Sequence, residues 1–221
     1  ESSLSYKNIV IDTTAPTLTS VAQVATPSNN VKPSFIFKTN EGGTISCSEA
    51  LSSGTNAVEG DNTIIFEALA AKTYDDVTII VTDAAGNASL ALKLDQFIID
   101  ATAPKITDIS TSGAGPFKEN DRVILVVTFS EKINVQGEPF IRLDTGGQAT
   151  YTGGYGTDKL SFLYVVVADE NTVRLECDGD FDLTNASITD VAGNNADLGL
   201  PTGESSLSYK NIVIDTTAPT L

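Results

Sequence analysis

ESSLSYKNIVIDTTAPTL, residues 1–18, recurs unchanged as residues 204–221. Identity over that length, at an offset of 203, is not chance, so the chain holds one period of a tandem array together with an overlap. A diverged copy of the second half lies between them, FIIDATAPKIT at 97–107 against IVIDTTAPTLT at 9–19. The aspartates of the three stretches, Asp12, Asp100 and Asp215, are 88 and 115 residues apart, which sum to 203. The period therefore contains two unequal domains, each bounded by an apolar run, an Asp and Thr-Ala-Pro. The first spans 13–100 and the second 101–215. Residues 1–12 read as the final strand of a preceding repeat, and 216–221 as a linker into the next. Cut from its partners, the 1–12 strand exposes backbone and an apolar NIVI run. It is expected either to be disordered or to pair with another molecule's sheet edge; displacing 204–215 of a neighbour would string chains into swapped polymers.

Both segments are of ordinary domain size and long enough to bury a core. Gly, Ser, Thr, Asn and Asp are abundant, helix-period stretches are scarce, and Met, Trp and His are absent. That composition favours short strands joined by polar turns. A net charge of −16 argues against nucleic acid and anionic membrane surfaces, which need a basic patch. No apolar run approaches the roughly 20 residues of a membrane span, so no membrane insertion is expected. The two cysteines, Cys47 and Cys177, fall in different domains and read as small, partly buried thiols. Zinc or thiol catalysis needs His or further Cys, which the chain lacks.

In the first domain TLTSVAQV, VKPSFIFKTN and TISCSEAL read as strands, with Phe35 and Phe37 on one face and Ile36 and Lys38 on the other. A loop with room for a short strand follows, then NTIIFEAL and YDDVTIIVTD. In the latter Val77, Ile79 and Val81 alternate with Thr78, Ile80 and Thr82, the period of a half-buried strand. Ala84–Asn87 is a hairpin turn, and ASLALKLDQFIID returns as the final strand. Seven strands in one such segment, with turns every 8–12 residues, predict an antiparallel β-sandwich. The second domain replays the plan through KITDISTS, RVILVVTFSE (122–131), NVQGEPFIRLD (134–144), ATYTGGYG, KLSFLYVVVAD and NTVRLEC. DGDFDLTN reads as an acidic loop, TDVAGN at 189–194 repeats TDAAGN at 82–87, and SYKNIVID closes the domain as its last strand.

The IDTTAPT joints, the TDxAGN hairpins and the strand pattern resemble the bacterial Ig-like, cadherin-like tandem repeats of large surface adhesins and biofilm-associated proteins. The resemblance covers essentially the whole chain and implies an all-β fold of two Ig-like antiparallel β-sandwich domains in tandem, end to end. It implies an extracellular, cell-surface extender, a stiff spacer that presents a distal binding tip and is rigidified by calcium at its joints. Related repeats often carry a second cysteine where this chain has Val77, so no bridge is carried over to Cys47.

An argument for calcium also follows from the residues. Strands of a sandwich alternate in direction, so the start of the first strand and the ends of the second and sixth share a pole. Asp12 precedes the first strand, Glu41 ends the second, and Asp83 and Asn87 bracket the hairpin turn. Asp100, Glu131, Asp190 and Asn194 recur at the same places in the second domain. Carboxylates converging in this way repel one another, and Ca²⁺, which takes six to eight oxygen ligands, removes the repulsion. Asp215 then awaits ligands from the next repeat, with Glu119 and Asp121 placed to reach it from a turn at the opposite pole. Each aspartate alone also reads as a turn cap. Asp178, Asp180 and Asp182 open like an EF-hand loop, but Leu183 and Thr189 stand where Gly and Glu are required.

No base or nucleophile pair suggests an enzyme. A structural extender, partnered by adjacent identical repeats, accounts best for near-identical tandem copies, because duplication adds length without a new activity. Two alternatives remain open. One is a carbohydrate or host-surface binding module using Phe117, Tyr151, Tyr155 and Phe181. The other is an extracellular fibre subunit that self-associates through strand 1–12.

Overall fold

Alternation of apolar and polar residues decides which stretches become strands. In SFIFKT, Phe35 and Phe37 are fully buried while Lys38 faces solvent; in VTIIVTD, Val77, Ile79 and Val81 are buried with Thr78, Ile80 and Thr82 only partly so. The computed structural model describes residues 11–113 and 115–218, with the side chain of Asp180 excepted. The expectation for strand 1–12 therefore lies, but for its last two residues, outside the described residues. The chain divides into two units between Ala101 and Thr102. Both are all-β with antiparallel sheets, consistent with sandwiches, and no α-helix occurs among the described residues.

The first unit contains β1 (Leu18–Ala22), β2 (Ser34–Thr39), β3 (Gly43–Cys47), β4 (Asn56–Ala57), β5 (Gly60–Ile65), β6 (Lys72–Tyr74), β7 (Thr78–Thr82), β8 (Leu92–Lys93) and β9 (Phe97–Ile99). One sheet runs β1-β2-β5, a second β4-β3-β7-β8, and β6 pairs with β9. All of them feed one core around Phe35, Phe37, Ile64, Phe66, Ile79 and Phe97. The expected single return strand over 88–100 is broken. Leu94 N–H still bonds the Val77 carbonyl at 2.9 Å, but after Asp95 the chain leaves β7. It pairs instead with β6, where Phe97 stacks on Tyr74 at 5.0 Å between ring centroids. Burial of that aromatic pair outweighs continuation of the ladder. Strand β6 is too short, at Lys72–Tyr74, to show an alternation of its own.

The second unit contains β10 (Ile106–Thr111), β11 (Arg122–Gln136), β12 (Phe140–Leu143), β13 (Gln148–Gly153), β14 (Thr157–Val165), β15 (Cys177–Asp182) and β16 (Ser187–Thr189). Their order is β10-β11-β14-β13-β12-β15, with β16 paired to the far end of β11. Three expectations change here. RVILVVTFSE and the start of NVQGEPFIRLD form one strand, β11, whose register with β14 breaks between Thr128 and Ile133. Glu131 thus sits inside a strand rather than at its end, because Lys132-Ile133 replaces the Gly42-Gly43 that interrupts the first unit. Most of the expected acidic loop is strand β15, because Phe181 and Cys177 pair with the buried Ile141 and Leu143 of β12 and Phe181 is itself buried; Asp182 is then drawn to Arg142 at 2.7 Å. NTVRLEC is correspondingly not a strand, and Asp144 holds its backbone by accepting from Glu176 N–H at 3.0 Å.

The closing stretch SYKNIVID is only half a strand. Residues Gly203–Ser205 and Ser208–Lys210 form 3-10 turns, in which Ser206 Oγ donates to the Gly203 carbonyl at 2.7 Å. Local serine bonds of this kind compete with a ladder. From Ile212 to Asp215 the chain extends, with Ile214 bridged to both Phe117 and Thr172. Leu207, Ile212 and Ile214 are buried in the core that Leu125, Phe162 and Tyr164 dominate.

Candidate metal centre

Two registers bring the acidic residues of the first unit together. Leu18, six residues after Asp12, pairs with Thr39, two residues before Glu41. Thr44, three residues after Glu41, pairs with Thr82, the neighbour of Asp83. Given those pairings, the end of β2, the start of β3, the end of β7 and the segment before β1 meet at one pole. Asp12, Glu41 and Asp83 each offer a carboxylate oxygen within 4.8 Å of the others. Gly43 permits the approach of β3 to β7, since a Cβ there would meet the Thr82 carbonyl oxygen and Val81.

The TDAAGN turn fixes Asp83. Gly86 adopts a φ of +95°, a conformation that favours glycine. The turn then aims Ala85 N–H and Asn87 N–H at Asp83 Oδ1, at 2.9 and 2.8 Å. Asn87 Nδ2 donates to Asp83 Oδ2 at 2.8 Å and to the Asp12 carbonyl at 3.1 Å. Asp83 is thus the turn maker that local chemistry suggests, and it also turns a carboxylate to the pole. Asn87 presents its amide nitrogen to these groups and acts as their positioning residue.

The electrostatics are unbalanced. Burial first, then the charges of Asp12 and Asp83, push the Glu41 carboxyl above its ordinary value. The Asn87 side chain, ahead of the turn's backbone donors, holds Asp83 below its own, against the opposing effect of burial. Among the described residues no ion pair reaches Asp12, Glu41 or Asp83. The donors are all oxygen, a set that suits a hard cation such as Ca²⁺ and gives zinc or copper no preference.

The second unit repeats the wiring position for position. Ile106, six residues after Asp100, pairs with Phe129, two before Glu131. Asn134, three after Glu131, pairs with Thr189, the neighbour of Asp190. Glu131 and Asp190 bring carboxylate oxygens within 4.8 Å, and Asp190 is only 1% exposed. Asn194 N–H and Nδ2 donate to Asp190 at 2.8 and 2.7 Å, as Asn87 does to Asp83. Asp100 follows β9 directly and donates its N–H to the Ser28 carbonyl at 3.0 Å.

At the C-terminal end, Thr217 N–H donates to Asp215 Oδ1 at 3.0 Å, the same turn that Thr14 makes on Asp12 at 2.9 Å. Asp215 and Glu119 line one hollow, whereas Asp121 accepts from Lys118 N–H at 2.9 Å and caps its own turn. Among the described residues these three form no three-carboxylate group. The aromatic residues named for a binding face mostly turn inward. Phe181 and Tyr151 pack edge-on against Phe162, Phe117 is partly buried, and Tyr155 alone is exposed.

A further feature is common to both poles. Thr17 N–H donates to Asn40 Oδ1 at 2.7 Å, and Lys105 N–H to Ser130 Oγ at 3.0 Å. Each donor lies five residues after the first aspartate, and each acceptor directly before the glutamate. The pair latches the joint to the pole. Its spacing was visible, but Asn and Ser are dissimilar enough to hide the equivalence. No family model matches the chain, and no curated protein matches it.

Proposed function

We propose that the chain is a structural extender segment of a bacterial cell-surface adhesin, built from two Ig-like sandwiches stiffened by Ca²⁺ at their joints. The observation that carries the reading is the duplicated register. Two units of different length and sequence keep the same register offsets for a joint aspartate, a glutamate and a turn aspartate. Packing alone does not require acidic residues at all three offsets, whereas a shared cation does. In the first unit Asp12, Glu41 and Asp83 supply the carboxylates, positioned by Asn87. We assign Asp100, Glu131 and Asp190 the same role, with Asn194 positioning Asp190, and Asp215 to the joint with an adjacent identical repeat.

Exact duplication of residues 1–18 at 204–221 supports a role in which length is what repetition supplies. The joints are short, from an aspartate to a proline that fixes its own φ, so an ion bound there restrains few degrees of freedom and locks them effectively. Small-angle scattering in calcium and in chelator tests this. Calcium should narrow the distribution of inter-domain angles, and superimposable curves in the two conditions would defeat the proposal.

A further inference from the structure

In each unit the segment that enters the fold lies beside the segment that leaves it, and the two run in the same direction. In the first unit residues 23–28 meet residues 95–100 at a constant offset of 72. Asp95 N–H donates to Gln23 Oε1 at 3.3 Å, and Ile98 N–H to Thr26 Oγ1 at 2.9 Å. Ser28 then bonds twice: its N–H donates to the Ile98 carbonyl at 3.1 Å, and its own carbonyl accepts from Asp100 N–H at 3.0 Å. Ser28 and Ile99 form a parallel bridge. Gln23, Thr26 and Ile98 are exposed, while Val24, Phe97 and Ile99 anchor both segments in the core. The second unit repeats the arrangement at Phe117. Its N–H donates to the Val213 carbonyl and its carbonyl accepts from Asp215 N–H, both at 2.9 Å, with Phe117 and Ile214 bridged in parallel. The exit segment also has an antiparallel partner, β6 for β9 in the first unit and Thr172 for Ile214 in the second.

We propose that these parallel pairs are shear clamps, through which each unit resists tension along the chain. A pull on Asp12 draws 23–28 toward its N-terminal end, and a pull on Asp100 draws 95–100 toward its C-terminal end. Since the segments are parallel, the two pulls oppose each other along a common axis and stretch every bond of the pair together. An antiparallel pair pulled at the same two ends would open from one end, one bond after another. Forced unfolding is governed by the unfolding rate, and bonds that must break before the transition state slow that rate most. The backbone alone supplies only the two bonds of Ser28. Gln23 and Thr26 lengthen the clamp by aiming side-chain oxygens at N–H groups of the exit segment, a role that contributes nothing to the core. Upstream, β1 adds its ladder with β2 to the same path. The clamp depends on strand direction rather than on a bound ion, so it is tested in chelator, and its failure and that of the calcium reading are distinguishable.

Constant-force pulling of the full chain from its two ends reads the unfolding step of each unit, and the smaller gain in contour length marks the first. Thr26→Val keeps the shape of an exposed side chain and removes the acceptor for Ile98 N–H. Loss of one such bond before the transition state changes a rate by roughly three- to tenfold. The first unit should therefore yield that much faster at the same force, with the step of the second unit unchanged. Gln23→Leu should accelerate the same step by freeing Asp95 N–H. Ser52→Ala removes a hydroxyl that donates to the Ile65 and Phe66 carbonyls at 3.3 and 3.0 Å, away from both segments, and should leave forced unfolding at the wild-type rate. Calorimetry verifies that each variant keeps the melting transition of the first unit, and the two clamp variants are independent, so either one decides. A folded Thr26→Val or Gln23→Leu chain that yields at the wild-type rate overturns the proposal. A Ser52→Ala chain accelerated as much as they are overturns it equally.

Discussion

Replacing Glu41 by Gln removes one of three carboxylates crowded at the pole of the first unit, and the sign of its effect should depend on calcium. In chelator the Glu41 carboxyl lies above its ordinary 4.5, through burial and then through Asp12 and Asp83. An acid with a raised folded-state pKa holds its proton more tightly in the folded chain. Its ionisation therefore costs stability as pH rises from 4.5 through the folded-state value, and the loss is complete above both. At neutral pH in chelator the Glu41→Gln chain should melt higher than wild type. With calcium the order inverts. A site of the affinity usual for extracellular modules, Kd roughly 10⁻⁴ to 10⁻³ M, contributes RT ln(1 + [Ca²⁺]/Kd), or about 1.4 to 2.7 kcal/mol at about 10 mM calcium. Each kcal/mol moves the Tm of a domain this size by roughly 4–8 °C, so wild type should gain on the order of 6–20 °C. The variant, short of one ligand in three, should keep only a small part of that gain. Scanning calorimetry of both chains, in chelator and in calcium, measures all four transitions. Equal calcium shifts, or a variant that melts lower in chelator, would show that Glu41 neither crowds the pole nor holds the ion.

Asn87→Ala removes the largest of the influences holding the Asp83 carboxyl below its ordinary 3.8. A depressed carboxyl supports the fold above its unfolded pKa and loses that support as pH falls through its folded value. The variant's acid-unfolding midpoint, followed by circular dichroism, should therefore move to higher pH; an unchanged midpoint counts against the role given to Asn87. Gly43→Val forces a side chain against the Thr82 carbonyl and should cost about 1–3 kcal/mol in urea unfolding while weakening the calcium response of the first unit. Tyr164→Phe removes the 2.7 Å bond from Tyr164 Oη to the buried Glu170, leaving that oxygen to Val167 N–H. The cost should be about 1–3 kcal/mol, confined to the transition of the second unit. Burial pushes the Cys177 thiol up to about 12 and raises that of Cys47, so at neutral pH both should react with a maleimide more slowly in the folded chain than after unfolding.

The strands with clean alternation were legible in the sequence. Phe35 with Phe37, and Val77 with Ile79 and Val81, declare their inner face by type alone. So were the acidic positions, because the repeat aligns Glu41 with Glu131 and Asp83 with Asp190. What stayed hidden depended on contacts distant in sequence. Strand β15 carries three aspartates, and its inner face shows only through Cys177 and Phe181. Strand β9 leaves β7 for β6 because Phe97 finds Tyr74, a pairing no local pattern announces. The 3-10 turns of 203–210 arise from serine hydroxyls that bond nearby backbone, a choice the apolar NIVI run obscures. The Thr17–Asn40 and Lys105–Ser130 latches needed the strand registers before their equivalence appeared.

Calorimetric titration of calcium into the chelator-stripped chain reads the two cation sites without an intermediary. Two saturable sites with Kd at or below about 10⁻³ M should appear, one lost on Asp83→Asn and the other on Asp190→Asn. An absence of saturable uptake, or uptake unchanged in the chain carrying both substitutions, would contradict calcium binding at these sites.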